Sequence, residues 1–426
     1  MTLDDIELEY SRLLAQYEDA ATVRILEEAT EVLLIRNGVT ELTSTVRDVS
    51  VAVTQNSEQG ARVSVSPGDR DPEEFLLEAL GAPTRADGGS SSFGSELGSA
   101  EIVGTDLGGE ERELSALTVP PSGDAQRELR VETIHRRVAY VGESRSQRQS
   151  FSSTHAGFRS TKTDDPHNHF VSDSAFASVA ELTRDLEDHL LPRVNWFHGL
   201  PRLDSYTPPS DSLVFLPGDI AAQLVALLSK SFSAEATAEG RSRFAGLVGS
   251  RVGAAGLSMI DDPLLGGAPK HATFDDEGTE ATRKPLVEAG VLRNYLGSSA
   301  TAKLGVATGG NAWQPDRTSA PRVAGSNLYI APGSGAISPA VGTIEVVQSH
   351  GLHMANEITG AFSMGASVIV HGESGPAVVN GLSVAGNVID MLHEILLVGD
   401  RLQWSAGSVA YYGSPDLLVA GLAVGG

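Results

Sequence analysis

Thr30-Glu31-Val32-Leu33-Leu34-Ile35-Arg36 and Thr40-Glu41-Leu42-Thr43-Ser44-Thr45 flank Asn37-Gly38. Both arms alternate like strands, and the Asn-Gly pair tolerates the positive φ that a tight hairpin turn demands. Working outward, a second hairpin joins Ser50–Thr54 to Ala61–Ser66 across a polar turn ending in Gly60. Before these strands, Ile6, Tyr10, Leu13, Leu14 and Tyr17 recur at helical spacing and make one apolar stripe. After them, Asp71-Pro72-Glu73-Glu74 is an N-cap followed by proline at the first helical position, opening a helix through about Leu80. Glycine- and serine-rich sequence dilutes the apolar content of residues 82–125, which predicts a long flexible insertion. Strand alternation resumes over Arg127–Val141. Ser172–Leu191 reads as a helix with Phe176, Val179, Leu182, Leu186 and Leu190 on its apolar face, ended by Pro192. Tyr206-Thr207-Pro208-Pro209-Ser210 reads as a linker. Beyond it come a buried strand at Ser212–Leu216, a Pro-Gly turn and a helix from about Asp219 to Ser229. The remainder is rich in glycine and short strands, with a helix over Val388–Leu397. The expected fold class is α+β on a large mixed β-sheet, with an N-terminal α/β domain over 1–200 and a β-rich domain over 205–426.

The chain has 426 residues, 41% hydrophobic and 20% charged, with no cysteine. Zero cysteine excludes a disulfide scaffold, a thiolate zinc site, an iron–sulfur cluster and a cysteine nucleophile. No apolar run reaches the roughly 18 to 20 residues that span a bilayer. The acidic start, Met1-Thr2-Leu3-Asp4-Asp5-Ile6-Glu7, is unlike a signal peptide, so a cytoplasmic location without membrane association is expected. Fifty-five acidic against 31 basic residues give a net charge of −24. Such a polyanion repels a phosphate backbone, which disfavours nucleic acid as a partner. Acid-rich, lysine-poor surfaces suit a high-salt cytoplasm, where screening removes self-repulsion; a GC-rich genome also favours Arg over Lys.

The C-terminal half carries an ordered series of segments. Asp261-Asp262-Pro263 precedes Phe274-Asp275-Asp276-Glu277-Gly278 and Val287-Glu288-Ala289-Gly290-Val291-Leu292-Arg293-Asn294-Tyr295-Leu296. Ala302-Lys303-Leu304-Gly305 follows, then Thr308-Gly309-Gly310-Asn311-Ala312, Pro321-Arg322 and Asn327-Leu328-Tyr329-Ile330-Ala331-Pro332-Gly333. Ala385-Gly386-Asn387-Val388-Ile389-Asp390-Met391-Leu392 and Ile395-Leu396-Leu397-Val398-Gly399-Asp400 close it. The series resembles the TldD/PmbA family, peptidase-related proteins once described as modulators of DNA gyrase. The match covers about 205–404 well and the N-terminal helix and hairpin more loosely; residues 82–170 depart from it.

The resemblance implies a heterodimer of two related subunits. One, TldD-like, carries a His-Glu-x-x-x-His helix that binds zinc together with a distant cysteine; the other, PmbA-like or TldE-like, lacks those ligands. The helix corresponding to the zinc helix is Gly218–Leu228, which holds neither histidine nor glutamate. The expectation is therefore a PmbA-type subunit with no metal, cofactor or catalytic residues of its own. It would complete the chamber around a TldD-like partner's zinc site, which takes unfolded peptides as extended chains. The rival is a stand-alone homodimeric binding or assembly protein, and a third reading is an independent hydrolase using another site.

Other candidates carry less. His350, His353 and Glu357 could share one face and bind zinc if their segment is helical, although the family counterpart has no metal role. His167 and His169 lie in a polar stretch that reads as a surface loop, and His371 and His393 stand alone. Asp275, Asp276 and Glu277 could serve acid–base or cation chemistry, but the family places them at a strand end in subunits with and without zinc, which favours structure. Gly309-Gly310 and Gly333-Ser334-Gly335 lack the strand–loop–helix setting of a phosphate loop.

Overall fold

α1 (Leu3–Leu14) buries Leu3, Ile6, Tyr10, Leu13 and Leu14 along one side. The computed structural model describes residues 3–14, 21–57, 60–81, 114, 116–141, 146–316 and 319–425, so Tyr17 lies outside the described residues. β1 (Ala21–Arg36) and β2 (Val39–Ser57) pair antiparallel down to Arg36↔Val39, and Asn37 and Gly38 turn the chain at φ 50° and 81°. β3 (Gly60–Pro67) closes the second hairpin from Ser57↔Gly60 to Ser50↔Pro67. α2 (Pro72–Gly81) is capped as its sequence predicts, Glu74 N donating to Asp71 Oδ1 at 2.9 Å.

Of the insertion expected over 82–125, residues 82–113 and 115 lie outside the described residues. Its last part is packed: Leu114, Leu117 and Val119 join Leu33, Leu129 and Val194 in one buried cluster. β4 already begins within it (Ala125–Val141). β5 (Ser146–Lys162) is a strand that the sequence hides, because no apolar alternation marks Ser146–Thr154. It pairs with β4 over its whole length, and buried hydroxyls such as Thr133 and Thr154, 3.3 Å apart, satisfy each other.

The helix read over Ser172–Leu191 is corrected at both ends. Ser172–Phe176 belongs to β6 (His169–Phe176), which pairs with β5, so tertiary pairing overrides the local period. α3 (Val179–Asp185) starts at an N-cap, Ser178, whose Oγ accepts from Glu181 N. A π-helical turn over Leu186–Leu190 then leads into α4 (Leu191–Gly199). Pro192 sits in the first turn of α4 rather than ending a helix, since its missing N–H costs nothing there and the widened turn relieves its clash.

The chain continues through β7 (Arg202–Leu203), β8 (Leu213–Leu216), α5 (Gly218–Leu228) and α6 (Ala234–Ala238). Next come β9 (Met259–Asp261), β10 (Lys284–Glu288), β11 (Val291–Leu292), α7 (Ser299–Lys303), β12 (Ala312–Trp313), β13 (Arg322–Val323) and β14 (Asn327–Ile330). β15 (Thr343–His350), β16 (Ala361–Gly372) and β17 (Gly375–Asn387) are long, where short strands were expected. α8 (Val388–Glu394) stops before Ile395, because Ile395–Val398 pairs as β18 with β21 (Leu417–Val419). β19 (Gln403–Ala406), β20 (Tyr411–Ser414) and β22 (Ala423–Gly425) complete the elements.

The architecture is α+β on two large mixed sheets. A 12-stranded sheet runs β11-β10-β9-β14-β20-β19-β6-β5-β4-β1-β2-β3, joining strands from both halves of the chain. An 8-stranded sheet contains β18-β21-β8-β15-β16-β17-β22, with β7 added beside β17. Parallel pairs β14–β20, β8–β15 and β7–β17 interrupt otherwise antiparallel ladders. α5 packs on β14, β19 and β20 of the first sheet and β15 of the second. Nine of its eleven residues are buried, as an apolar helix held from several sides must be.

Candidate functional site

The N-terminus of α5 is fixed by a close approach. Gly218 N donates to Asp416 Oδ1 at 2.8 Å, and a Cβ on Gly218 would fall 2.6 Å from both Gln403 Nε2 and Ser414 O. A carboxylate at this end suits the helix dipole, although burial pushes the Asp416 carboxyl up. From this anchor α5 turns two polar residues, Asp219 and Gln223, to the same side, four apart on an otherwise apolar helix.

They face a cavity of about 540 Å³ between the two sheets. Its other walls are Arg130 and Glu132 of β4, His155 and Gly157 of β5, Val171, Ser172 and Asp173 of β6, Gln348, Ser349 and His350 of β15, and Ser405 and Ala406 of β19. Asp219 Oδ1 lies 4.0 Å from Arg193, which reaches Glu345 at 3.2 Å, and Glu345 also meets His371 Nε2 at 2.9 Å. Ser349 Oγ donates to Gln223 Oε1 at 2.9 Å. Tyr411 OH donates to Ser153 Oγ at 2.8 Å, which leaves His155 Nε2 as donor to Tyr411 OH at 3.0 Å. Burial lowers the His155 pKa, keeping the imidazole neutral, with Glu132 opposing and Arg136 reinforcing the shift. Desolvation raises the Asp173 carboxyl. The walls are rich in hydrogen-bond acceptors, able to hold a polar chain. Ser349 is engaged by an amide rather than by a base, so its hydroxyl is not activated as a nucleophile.

A zinc ion does not fit this donor set. α5 offers one carboxylate and one amide, and no group of three His, Asp or Glu side chains converges among the described residues. His350, His353 and Glu357 do not share a helical face. His350 ends β15, Gly351 takes φ 82°, a single 3-10 turn covers Leu352–Met354, and Glu357 pairs instead with Lys230. His350 lines the cavity. His167 lies in a turn whose backbone N donates to Asp165 Oδ1, while His169 opens β6. His393 is in the last turn of α8.

Asp275, Asp276 and Glu277 occupy a tight turn, with only the isolated bridge Phe274↔Glu280 beside it, rather than a strand end. Gly278 makes the turn at φ 73°, and its missing Cβ leaves room for the Tyr140 ring, which would lie 2.3 Å away. Asp275 accepts from Glu277 N, Thr279 N and Ala312 N at 2.9–3.0 Å. Burial nevertheless raises its carboxyl to about 7. Asp276 holds Arg24 at 2.6 Å and Gln314 N at 2.8 Å, and Glu277 Oε2 accepts from Ser299 N at 2.8 Å. All three carboxylates are spent on backbone and neighbouring strands.

The other signature segments converge in the same way. Asp261 is completely buried; its Oδ2 accepts from Asn311 Nδ2 at 2.7 Å and its Oδ1 from Ser326 N at 2.7 Å. Lys284, opposite Asp261 in the β9–β10 ladder, donates to Thr308 O at 3.1 Å, to Gly309 O and to Asn311 Oδ1. Asn327 Nδ2 donates to Asp262 O and Lys270 O at 2.8 and 2.7 Å. Segments far apart in sequence thus form one buried polar lattice at β9, β10 and β14 of the 12-stranded sheet.

Arg193, Glu345, His155, Asp173 and Gln348 escaped sequence reasoning because four elements from both halves of the chain, α4, β5, β6 and β15, contribute them. Asp219 and Gln223 left a readable signal: two polar residues four apart on an apolar helix.

The family model for the PmbA/TldA metallopeptidase C-terminal domain matches residues 210–426, half of the chain. The chain belongs to the TldD/PmbA family. A metalloprotease of Methanothermobacter thermautotrophicus is 29% identical over 191 residues, covering 42% of this chain and 40% of that protein. A metalloprotease of Archaeoglobus fulgidus is 29% identical over 220 residues, 49% of this chain and 50% of that protein. The chain therefore spans at most about half the length of these relatives. The fold extends further than the sequence likeness. TldE from Thermococcus kodakarensis superposes with a TM-score of 0.74 at 17% identity, covering 99% of this chain and all of that one. A Thermotoga maritima protein described as a candidate modulator of a DNA gyrase gives 0.72 at 18%, with the same coverage. The likeness of fold thus includes described residues before 210 as well as the C-terminal part.

Proposed function

We propose that this chain is the TldE-like, zinc-free subunit of a TldD-type metallopeptidase. In this role it pairs with a TldD-like subunit and completes the chamber in which unfolded peptides are cleaved. The observation that carries this reading is α5: the helix at the cavity presents Asp219 and Gln223, a donor set unsuited to zinc. Peptide hydrolysis at neutral pH needs an activated water, and zinc supplies one by lowering its pKa to about 7. In this role the partner holds the metal. This chain contributes the acceptor-rich wall between its sheets, which suits an extended backbone with unpaired N–H groups. The likeness to TldE from Thermococcus kodakarensis supports the assignment at the level of the fold.

The test is affinity isolation from the native cytoplasm at native salt, followed by peptide cleavage assays. A TldD-like chain should co-purify in near-equal amount. The single chain should leave unstructured peptides intact, the mixture should cleave them, and chelation should abolish that cleavage. Chelator-insensitive cleavage by the single chain, or a stable homodimer with no co-purifying chain, overturns the reading.

A further inference from the structure

A second cavity, of about 300 Å³, opens between β1, β4 and β5 on one side and residues 313–316 and 408–409 on the other. Lys270 forms part of its wall although the residue is only 6% exposed. Its backbone is pinned, N donating to Asn327 Oδ1 at 3.1 Å and O accepting from Asn327 Nδ2 at 2.7 Å. Its Nζ lies 3.4 Å from the centre of the Trp313 ring and donates to Val409 O at 3.3 Å. One long hydrogen bond thus serves an ammonium that carries three donors.

The charged neighbours on the same wall are committed elsewhere. Arg24 is held by Asp276 at 2.6 Å and by Gln314 Oε1 at 2.7 Å, and Arg136 by Glu28 at 2.7 Å. No carboxylate forms an ion pair with Lys270 among the described residues. Burial dominates and lowers its pKa to about 7; Asp276 and Asp261 pull upward, while Arg136 and Arg24 push down. The chain's other lysines differ. Lys284, just as buried, gives its hydrogens to three acceptors, Lys230 is ion-paired at the surface, and Lys303 is exposed.

We propose that Lys270 is a reactive amine that condenses with small aldehydes admitted to this cavity. The Nζ lone pair forms a bond to the carbonyl carbon, whose π electrons move to oxygen. The nitrogen's two hydrogens pass to that oxygen, the C–O bond breaks, and water leaves an imine. Amine plus aldehyde gives imine plus water, with no change of oxidation state. The Trp313 ring covers one face of the amine, its centre 3.4 Å from Nζ.

Acetaldehyde with cyanoborohydride, which traps the imine as an ethylated amine, is the probe on the full-length protein at pH 7. Five lysines in the chain make the peptide map simple to read. Ethylation at Lys270 should run about tenfold or more ahead of Lys162, Lys230 and Lys303, since ordinary lysines with a pKa of about 10.4 are almost wholly protonated. Its rate should rise through a midpoint near pH 7, and the preference should vanish in urea-unfolded chain. Labelling of Lys230 or Lys303 ahead of Lys270, or the same pattern folded and unfolded, overturns the proposal.

Discussion

Replacing Lys284 with methionine tests whether the signature segments are structural. The substitution keeps most of the apolar stem but removes a buried charge and its three hydrogen bonds to Thr308 O, Gly309 O and Asn311 Oδ1. It also leaves the completely buried Asp261, its cross-strand neighbour, whose carboxyl burial pushes up, without a cation that opposes that shift. Each abandoned acceptor costs about 1–3 kcal/mol before relaxation. Breaking a buried charge pair by removing one partner costs about 3–5 kcal/mol, which we take as the expected loss because neighbouring carbonyls can shift toward other donors. That is a large share of a total stability of about 5–15 kcal/mol. In urea unfolding, with a slope of about 3 kcal/mol per M, the midpoint should fall by about 1–1.7 M without a change in slope. Asp261→Asn in the same background removes the stranded carboxylate, so the double variant should lose less than the two single losses added, by about 1–3 kcal/mol. A Lys284→Met loss below about 1 kcal/mol, or strictly additive losses, would refute the coupled lattice.

Stability should also depend on pH through two buried groups. Asp275 has its folded pKa raised from 3.8 to about 7, so between those values the folded chain keeps a proton the unfolded chain has lost, and stability falls as pH rises. Lys270 has its folded pKa lowered from 10.5 to about 7, so above pH 7 the unfolded chain binds the extra proton and stability rises with pH. Each slope is at most about 1.4 kcal/mol per pH unit. Lys270→Met should flatten the rise from pH 7 to about pH 9 in chemical denaturation, and an unchanged slope would contradict the assignment. Salt supplies the remaining prediction. At a net charge of −24, raising chloride from about 0.05 to about 3 M should raise the melting temperature as the Debye length contracts; a flat profile would contradict self-repulsion as a destabilising term.

Much of this fold was legible in the chain. The Asn37-Gly38 hairpin, the Asp71-Pro72 helix start and the strand–helix passage through Pro217-Gly218 rest on interactions within a few residues, and local chemistry suffices to place them. The ordered C-terminal segments identified the family, and the residue types of α5 already argued against a zinc helix. What remained hidden depends on partners distant in sequence. β5 is polar at its start, and it is a strand because β4 and β6 supply its hydrogen bonds. Pro192 continues a helix because the π turn before it makes room. Asp275–Glu277 read as structural from the sequence, and Asp275 takes two of its donors locally from Glu277 N and Thr279 N, but the remaining partners, residues 24, 299, 312 and 314, come from distant sequence. Tertiary structure alone decided which polar groups are consumed in holding the chain together and which, like Asp219, Gln223 and Lys270, are left facing a cavity. Burial and hydrogen-bond satisfaction belong to the packed molecule, and no local pattern records them.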